Sequence, residues 1–363
     1  MKRRIFAGVL AVAAPGWAED SISAMGAYYY EYEARNTRVV MPSIELKKDL
    51  PAEADLSAYF LVDQITSASA AFQGGADAVY QEYREELGVA FHKRWGQVTP
   101  GLSYRISYEP DYQSQTLGFE TTLGLRQDTT RVRLQGQIQE DTVKKRGVPS
   151  FNEELDAVMG GIHVVQVLRR DLQTGAGVEV SQLDGFQSNP YRRCGSGTLE
   201  AHPERRRRVA AFGWGAFHLR PTRTTLYAGY RFYDDNWAVR AHTGEVRVTQ
   251  RILAPLELEA YWRPYTQTAV YFINERPDRQ YCTGDPKLSA FDAHFVEGVV
   301  RVSIPPFWFL REPRLEAAMG YLTQNSTQNS GEPAGEREGA PPPSIEDRYG
   351  DAVLARLGGS FAF

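Results

Sequence analysis

Apolar and polar residues alternate with a period of two along most of this chain. The clearest stretch is RVRLQGQIQ (residues 131–139), in which Val132, Leu134 and Ile138 share one face and arginines and glutamines occupy the other. Successive side chains of a β-strand point to opposite faces, so this stretch predicts a strand with one apolar and one polar face. The alternating segments run about 10 to 15 residues, whereas strands of soluble proteins average roughly 5 to 6. A membrane-spanning strand needs about 9 to 11 residues, so the length favours a transmembrane barrel over a soluble sandwich.

The alternation predicts an antiparallel, up-and-down β-barrel of sixteen strands. Connections after even-numbered strands are mostly short, near residues 95, 128, 170 and 221, and several after odd-numbered strands are long. Short periplasmic turns, long extracellular loops and an even strand number are typical of bacterial outer-membrane barrels. Eighteen strands is the alternative, because Pro264 could split the thirteenth segment. The predicted segments are residues 23–33, 38–47, 55–64, 80–93, 97–109, 113–126, 130–141, 156–168, 171–184, 204–220, 223–235, 237–251, 255–272, 293–304, 313–324 and 349–363.

The N-terminal segment has the features of a secretory signal. Lys2, Arg3 and Arg4 precede an apolar run over residues 5–14, and Ala18 precedes Glu19. These features predict a signal peptide over residues 1–18 and a single barrel domain over residues 19–363. Loss of the three cations takes the formal net charge from -4 to -7. A basic nucleic-acid-binding surface is therefore not expected.

The C-terminal segment supports the same localisation. Val353, Leu357 and Phe361 alternate with smaller or polar residues, and the chain finishes on Phe363. Outer-membrane barrels commonly end in such a strand, through which we expect the barrel-assembly machinery to recognise the chain. The alternative is a soluble strand that ends in phenylalanine by chance. The expected surroundings are the lipid of a Gram-negative outer membrane.

Several spaced motifs resemble the outer-membrane barrels catalogued as domain of unknown function 3570 (DUF3570). They are VDQITSASAAF (62–72), YQEYREELGV (80–89), SYEPDYQS (107–114), HPERRRRVA (202–210), YRFYDDNWAVRAHTGEV (230–246) and YWRPYTQTAVYF (261–272). The resemblance implies a barrel in a Gram-negative outer membrane and supplies no catalytic residues. The two cysteines are not part of the family's pattern. Barrels of surface-polysaccharide gene clusters have a similar architecture, which is an analogy of fold only.

Alternation assigns charged residues of both signs to the barrel lumen. Mixed charge is compatible with a closed, salt-bridged interior or with a water-filled pore that has opposed acidic and basic arcs. The loop 65–79, rich in small residues, either folds inward as a filler or lies on the surface. The residues assigned to the lumen are Glu82, Arg84, Glu86, His92, Arg105, Glu109, Glu120, Arg126, Arg131, Arg133, Glu179, Arg231, Tyr233, Glu257, Glu259, Arg263 and Arg356.

Tyrosine is abundant, with 20 residues. Rings at the two membrane interfaces form aromatic girdles, which account for most tyrosines in a barrel. Lumen-facing members such as Tyr227 and Tyr233 would instead stack on sugar rings, as a glycan conduit requires.

Cys194 and Cys282 fall in two of the long loops, 185–203 and 273–292. Because the compartment is oxidising, we expect a disulfide that ties these loops over the barrel mouth. The alternatives are two free thiols, or a zinc site with His202, for which the ligands are too few.

No motif for an enzyme, a cofactor or a metal pair is present, so neither catalytic residues nor a cofactor are predicted. Asp234, Asp235 and Asn236, together with Glu109 and Asp111, could hold calcium near the rim, although polar hairpin turns look the same.

The leading hypothesis is a passive pore or an export channel, with a surface polysaccharide as one candidate cargo. The second is a closed structural or partner-binding barrel that acts through its outer loops. An outer-membrane hydrolase ranks last.

Overall fold

Sixteen antiparallel strands close into one barrel. The structure is a computed structural model that describes residues 20–32, 37–67, 80–194, 197–273, 280–326 and 350–363. Each strand pairs with its neighbours in sequence, and β1 pairs with β16. The strands are β1 (Ser21–Glu31), β2 (Arg38–Leu50), β3 (Ala54–Ser67), β4 (Tyr80–Lys93), β5 (Val98–Glu109), β6 (Tyr112–Leu125), β7 (Thr130–Lys144), β8 (Asn152–Arg169), β9 (Leu172–Gly185), β10 (Arg205–Leu219), β11 (Thr224–Asp235), β12 (Arg240–Arg251), β13 (Leu256–Gln267), β14 (Phe291–Ser303), β15 (Arg311–Ser326) and β16 (Ala352–Ala362).

The predicted fold class is therefore confirmed, with sixteen strands rather than eighteen. Pro264 lies inside β13 and does not split it. The residues after Gln267 leave the wall, so the predicted thirteenth strand ends five residues early. A single 3₁₀ turn, Pro286–Leu288, follows in this connection. No described helix is long or apolar enough to cross a membrane.

Prolines accompany breaks in the hydrogen-bond ladders at three described places, one of which is the register shift between Arg311 and Arg314 of β15, beside Pro313. The pairing of β12 with β13 lapses where Gly244 and Glu245 stand opposite Arg263 and Pro264. The pairing of β2 with β3 lapses in the same way around Pro42. Proline has no backbone N–H to donate, which explains both gaps.

The two faces of the wall differ as the alternation predicts. Leu87, Phe119 and Val158 point outward and are about half exposed, as lipid-facing side chains must be. On the other face, ion pairs join strands that are not neighbours: Arg231 of β11 meets Glu179 of β9 at 2.8 Å. On the concave side of a curved wall, side chains of strands that are not neighbours converge and can contact each other across the intervening strand. The charged face is therefore the one that lines the lumen.

Three predicted segments lie wholly or mostly outside the described residues. They are the signal peptide (1–18), the loop 65–79 beyond residue 67, and the tail segment 325–348 beyond residue 326.

Candidate functional site in the barrel lumen and at its rim

The inner wall carries the residues that alternation assigns to the lumen, with one exception. Arg126 lies in the turn between β6 and β7, with a left-handed φ of 50°. Tyr233 faces inward close to the extracellular rim, where its hydroxyl donates to Asp235 at 2.7 Å. The others lie on the face opposite the exposed apolar side chains.

Arg301 of β14 is the centre of an ion cluster on the inner wall. It contacts Glu257 at 3.2 Å, Glu259 at 3.0 Å and Glu316 at 2.8 Å. Arg247 also reaches Glu259, at 3.3 Å. One arginine thus balances carboxylates from β13 and β15. Sequence reasoning missed Arg301, although its position between Val300 and Val302 gives the same alternation signal.

The inner wall of β3 to β7 carries a second set of pairs. Arg84 contacts Asp63, and Arg133 contacts Glu120. His92 lies between Asp55 at 3.2 Å and Glu120 at 3.3 Å, so both ring nitrogens face carboxylates.

The charges are sorted around the circumference. Carboxylates predominate on the inner face of β1 to β7, and arginines predominate on the inner face of β10 to β16. Both arcs of the lumen are mixed and differ in net charge, which creates a transverse field. The acidic arc includes Glu31, Glu45, Asp49, Asp55, Asp63, Glu82, Glu86, Glu109, Glu120 and Asp141; the basic arc includes Arg206, Arg208, Arg231, Arg247, Arg251, Arg263, Arg301, Arg314 and Arg356. The acidic arc also carries Lys47, Arg84, Arg105, Arg131 and Arg133, and the basic arc also carries Asp235, Glu245, Glu257, Glu259, Glu297 and Glu316.

A small hydrophobic core stands on the extracellular rim. We call it the rim core: Trp237, Val239, Val270, Phe272 and Leu288, each at most 7% exposed. It joins the turn between β11 and β12 to the connection between β13 and β14. The apolar residues at 270 and 272 thus pack into this core and do not extend the wall.

The predicted disulfide is confirmed, since Cys194 is bonded to Cys282. Around it, Thr283 donates to Glu200 at 2.5 Å and Arg192 meets Asp285 at 2.6 Å. Burial raises the pKa of the Glu200 carboxyl, but His202 and Arg192 more than offset this, so the pKa lies below its ordinary value. These links hold the two loops against each other.

A buried ion pair anchors the rim core to the wall. Arg206 of β10 donates to Asp235 of β11, and both side chains are at most 2% exposed. The second oxygen of Asp235 accepts from the backbone N–H groups of Trp237 and Val239, each at 3.0 Å. The guanidinium also lies 4.1 Å from the centre of the Trp237 ring. One carboxylate thus fixes both the turn and the cation beneath it.

A model of the protein family of unknown function DUF3570 matches residues 152–336, just over half of the chain. The chain belongs to the DUF3570 family. No protein of curated function matches its sequence.

Solved structures show where this DUF3570 fold occurs. CdiB from Acinetobacter baumannii is 9% identical, with a TM-score of 0.53 over 94% of this chain, and the chain spans 60% of CdiB. A bacterial polysaccharide outer membrane secretin is 6% identical, with a TM-score of 0.52 over 95% of this chain and 98% of its own. The chain spans 54% of the ferric enterobactin receptor PfeA from Pseudomonas aeruginosa, at 12% identity and a TM-score of 0.46. The likeness to CdiB and to the secretin is one of fold: this DUF3570 chain has the closed β-barrel fold of outer-membrane proteins.

Three carboxylates meet at the rim of this DUF3570 barrel, between β4 and β5. The oxygens of Glu82, Glu109 and Asp111 lie within 4.8 Å of one another. Asp235, which sequence reasoning grouped with Asp111 for calcium, lies six strands away on β11 and accepts from Arg206. Burial, reinforced by Glu82, raises the pKa of Asp111 to about 6.

We expect the part of this DUF3570 rim around Asp111 to be better ordered in mild acid than at neutral pH. A carboxyl whose pKa is raised in the folded state favours folding when protonated, and this contribution disappears as pH rises from about 4 through 6. The reporter is Lys144, whose N–H donates to the Asp111 carbonyl at 2.8 Å. Its hydrogen exchange, corrected for the intrinsic pH effect, should be slower at pH 4.5 than at pH 7.

In Asp111→Asn this pH dependence should vanish, whereas Asp234→Asn, on the outward face of β11, should keep it. Equal dependence in Asp111→Asn and in the unmodified protein would contradict the assignment.

Proposed function

We propose that this barrel is a passive pore or export channel for polar solutes across the outer membrane. The observation that carries the proposal is the inner wall of a closed sixteen-stranded barrel, lined with charged and aromatic side chains. Barrels of 16 to 18 strands leave an aqueous channel unless something fills them. A wall of this chemistry is suited to water and polar solutes.

The sorting of charge supports a polar solute over a simple ion. A lumen of one sign selects ions of the other sign, but opposed arcs favour molecules that present both donors and acceptors. Arg301 and its three carboxylates illustrate the pattern, since their remaining lone pairs and N–H groups suit hydroxyl groups. We therefore propose a surface polysaccharide as the cargo.

The likeness to the polysaccharide secretin agrees with this cargo. The two chains have nearly the same extent, because each covers at least 95% of the other. The likeness concerns the fold, and the cargo is our proposal.

A second candidate function is partner binding through the outer loops. The observation that favours it is the rim, where a disulfide and the rim core hold two loops in one arrangement. This function predicts that trimming the loops abolishes activity, whereas neutralising the lumen charges leaves it intact. The pore function predicts that neutralising the lumen charges impairs activity, whereas trimming the loops leaves it intact.

The proposal also covers the assembly of the barrel and the question of enzymatic activity. We propose that β16, which pairs along its length with β1 and precedes Phe363, is the segment recognised by the barrel-assembly machinery. We propose no enzymatic activity, and the inner wall is assigned to passage of solute alone.

Planar-bilayer recording tests the pore. Purified protein should give stepwise, ohmic conductance with weak ion selectivity. Recording is repeated after deletion of residues 68–79, so that an inserted loop does not mask a pore. No conductance in either protein would overturn the pore and favour the second function.

We further expect Arg301→Gln to make the pore more cation-selective. The substitution leaves Glu257, Glu259 and Glu316 without their shared cation. A unit charge a few ångström from the ion path contributes about 1 kcal/mol or less in water, so the permeability ratio of K⁺ to Cl⁻ should rise roughly two- to fivefold. Reversal potentials in a salt gradient measure it, with Arg301→Lys as the control that keeps the charge. An unchanged ratio would show that Arg301 does not face the ion path.

A further inference from the structure

We infer that a band of aromatic rings on the basic arc is a stacking surface for the pyranose rings of a sugar chain, an inference that rests on the proposed pore function. We call the band the aromatic strip. It comprises Phe212 and Trp214 of β10, Tyr227 of β11, Tyr261 of β13 and Phe295 of β14.

The strip is continuous across five adjacent strands. Trp214 and Tyr227 stack, with ring centroids 5.8 Å apart and planes inclined by 27°. Tyr261 meets Phe295 at 6.1 Å. Arg247 of β12 closes the gap between the two pairs, because its guanidinium lies 5.4 Å from the Tyr227 ring and 5.2 Å from the Tyr261 ring.

The rings lie against the wall instead of projecting into the lumen. A Cβ atom at Gly175 would fall 2.5 Å from the Trp214 ring, and one at Gly320 would fall 2.6 Å from the Phe295 ring. Phe212, Trp214 and Phe295 therefore each cover a glycine of the neighbouring strand, an arrangement that fills the space of the missing side chain. A ring in this position has one face on the wall and the other toward the lumen. Tyr261 is only 8% exposed and meets Phe295 edge-on, so it supports the strip from the wall and is not itself a stacking face.

The position of the strip separates it from the aromatic girdles. Girdle rings point to lipid. Among the rings of β11, Tyr230 is on the lipid-facing side and is 52% exposed. Tyr227, three residues earlier, lies on the inner face and pairs with Arg247. Anchoring at the membrane interface therefore does not explain the strip.

The chemistry of the strip fits carbohydrate. A pyranose ring has an apolar face of C–H groups, which packs on the face of an aromatic ring, while its hydroxyls need donors and acceptors at the edge. Arg231 lies 5.8 Å from the Phe212 ring and contacts Glu179. Arg356 and Glu297 form a similar pair near Phe295, at 2.7 Å. Aromatic faces flanked by charged side chains hold a sugar chain through repeated weak contacts. Such contacts allow the sugar chain to move along the lumen.

The test is blocking of the ionic current in planar bilayers. The probes are maltohexaose and cellohexaose, with poly(ethylene glycol) of matched hydrodynamic radius as a probe without a pyranose face. We expect at least one hexaose to give resolved blocking events, and the polymer to lower the current without such events. Tyr227→Ala should weaken hexaose block by about fivefold or more, as loss of one stacked ring does elsewhere.

Two variants separate stacking from other causes. Tyr227→Phe keeps the ring and should block like the unmodified pore, while Tyr230→Ala removes an outward ring of the same strand and should also leave block unchanged. All variants must first run as folded barrels on unheated gels.

The outcomes are distinct. Conductance without block by either hexaose, block of equal strength by the polymer, or unchanged block in Tyr227→Ala would overturn the strip and leave the pore standing. Absence of conductance, also after deletion of residues 68–79, would overturn the pore and the strip with it.

Discussion

Replacing Asp235 by alanine should disorder the extracellular rim and leave the barrel wall intact. The substitution removes the Asp235 carboxylate that pairs with the Arg206 guanidinium, which is 2% exposed. It also removes the acceptor for the N–H groups of Trp237 and Val239. Breaking a buried pair by removing one partner costs about 3 to 5 kcal/mol. The rim core depends on this turn, so the cost falls on local opening of the rim.

Hydrogen exchange of the Trp237 and Val239 amides measures the effect. We expect exchange faster by roughly two to three orders of magnitude, since about 1.4 kcal/mol corresponds to a factor of ten. Asp234→Ala is the matched control, because its partner Arg240 is exposed on the outer face and such pairs contribute about 1 kcal/mol or less. Equal protection in Asp235→Ala and Asp234→Ala would refute the anchoring role.

Removing the disulfide should also increase local opening of the extracellular rim, through the loops that it joins. In the double variant Cys194→Ser and Cys282→Ser, the loops keep the backbone pairing of Ala201 with Cys282 and the contact of Arg192 with Asp285. A disulfide typically contributes about 2 to 4 kcal/mol. Because these other links remain, we expect the lower end of the range, which corresponds to exchange roughly 30-fold faster.

Exchange should rise in residues 186–204 and 280–290 and stay constant in β1 to β8, which serve as an internal reference. Reducing agent added to the unmodified protein should reproduce the effect, and should change nothing in the double variant. A change that spreads to β1 to β8 would mean that the disulfide stabilises the whole barrel.

The wall could be predicted from the sequence because lipid imposes a strict rule on it. Outward residues in contact with hydrocarbon, such as Val132, Leu134 and Ile138 of β7, are apolar, and most of the residues between them are polar, so the period of two is visible without any structure. The disulfide was also predictable, since only two cysteines are present and the compartment is oxidising. The DUF3570 resemblance is confirmed over residues 152–336.

The rim could not be predicted in the same way. Val270 and Phe272 continue the alternation of β13, so the sequence pattern assigned them to the wall, although they pack against Trp237 and Leu288. Packing between distant loops leaves no periodic signal. The same reason hid the pair of Arg206 and Asp235, whose partners are 29 residues apart. Of the aromatic strip, sequence reasoning identified only Tyr227 as facing the lumen, because the continuity of the strip depends on the registers of five strands.

The distribution of backbone pairing has a mechanical consequence for the closed wall. The first and last strands are paired with each other along their whole length, because all eleven residues of β1 pair with β16. The described irregularities within the ladders lie elsewhere: beside Pro42, beside Pro264, between Val167 and Arg169 of β8, and between Arg311 and Arg314 of β15. Lateral tension in the membrane would therefore deform the cylinder first at these positions, and the seam between β1 and β16 would be among the last places to yield.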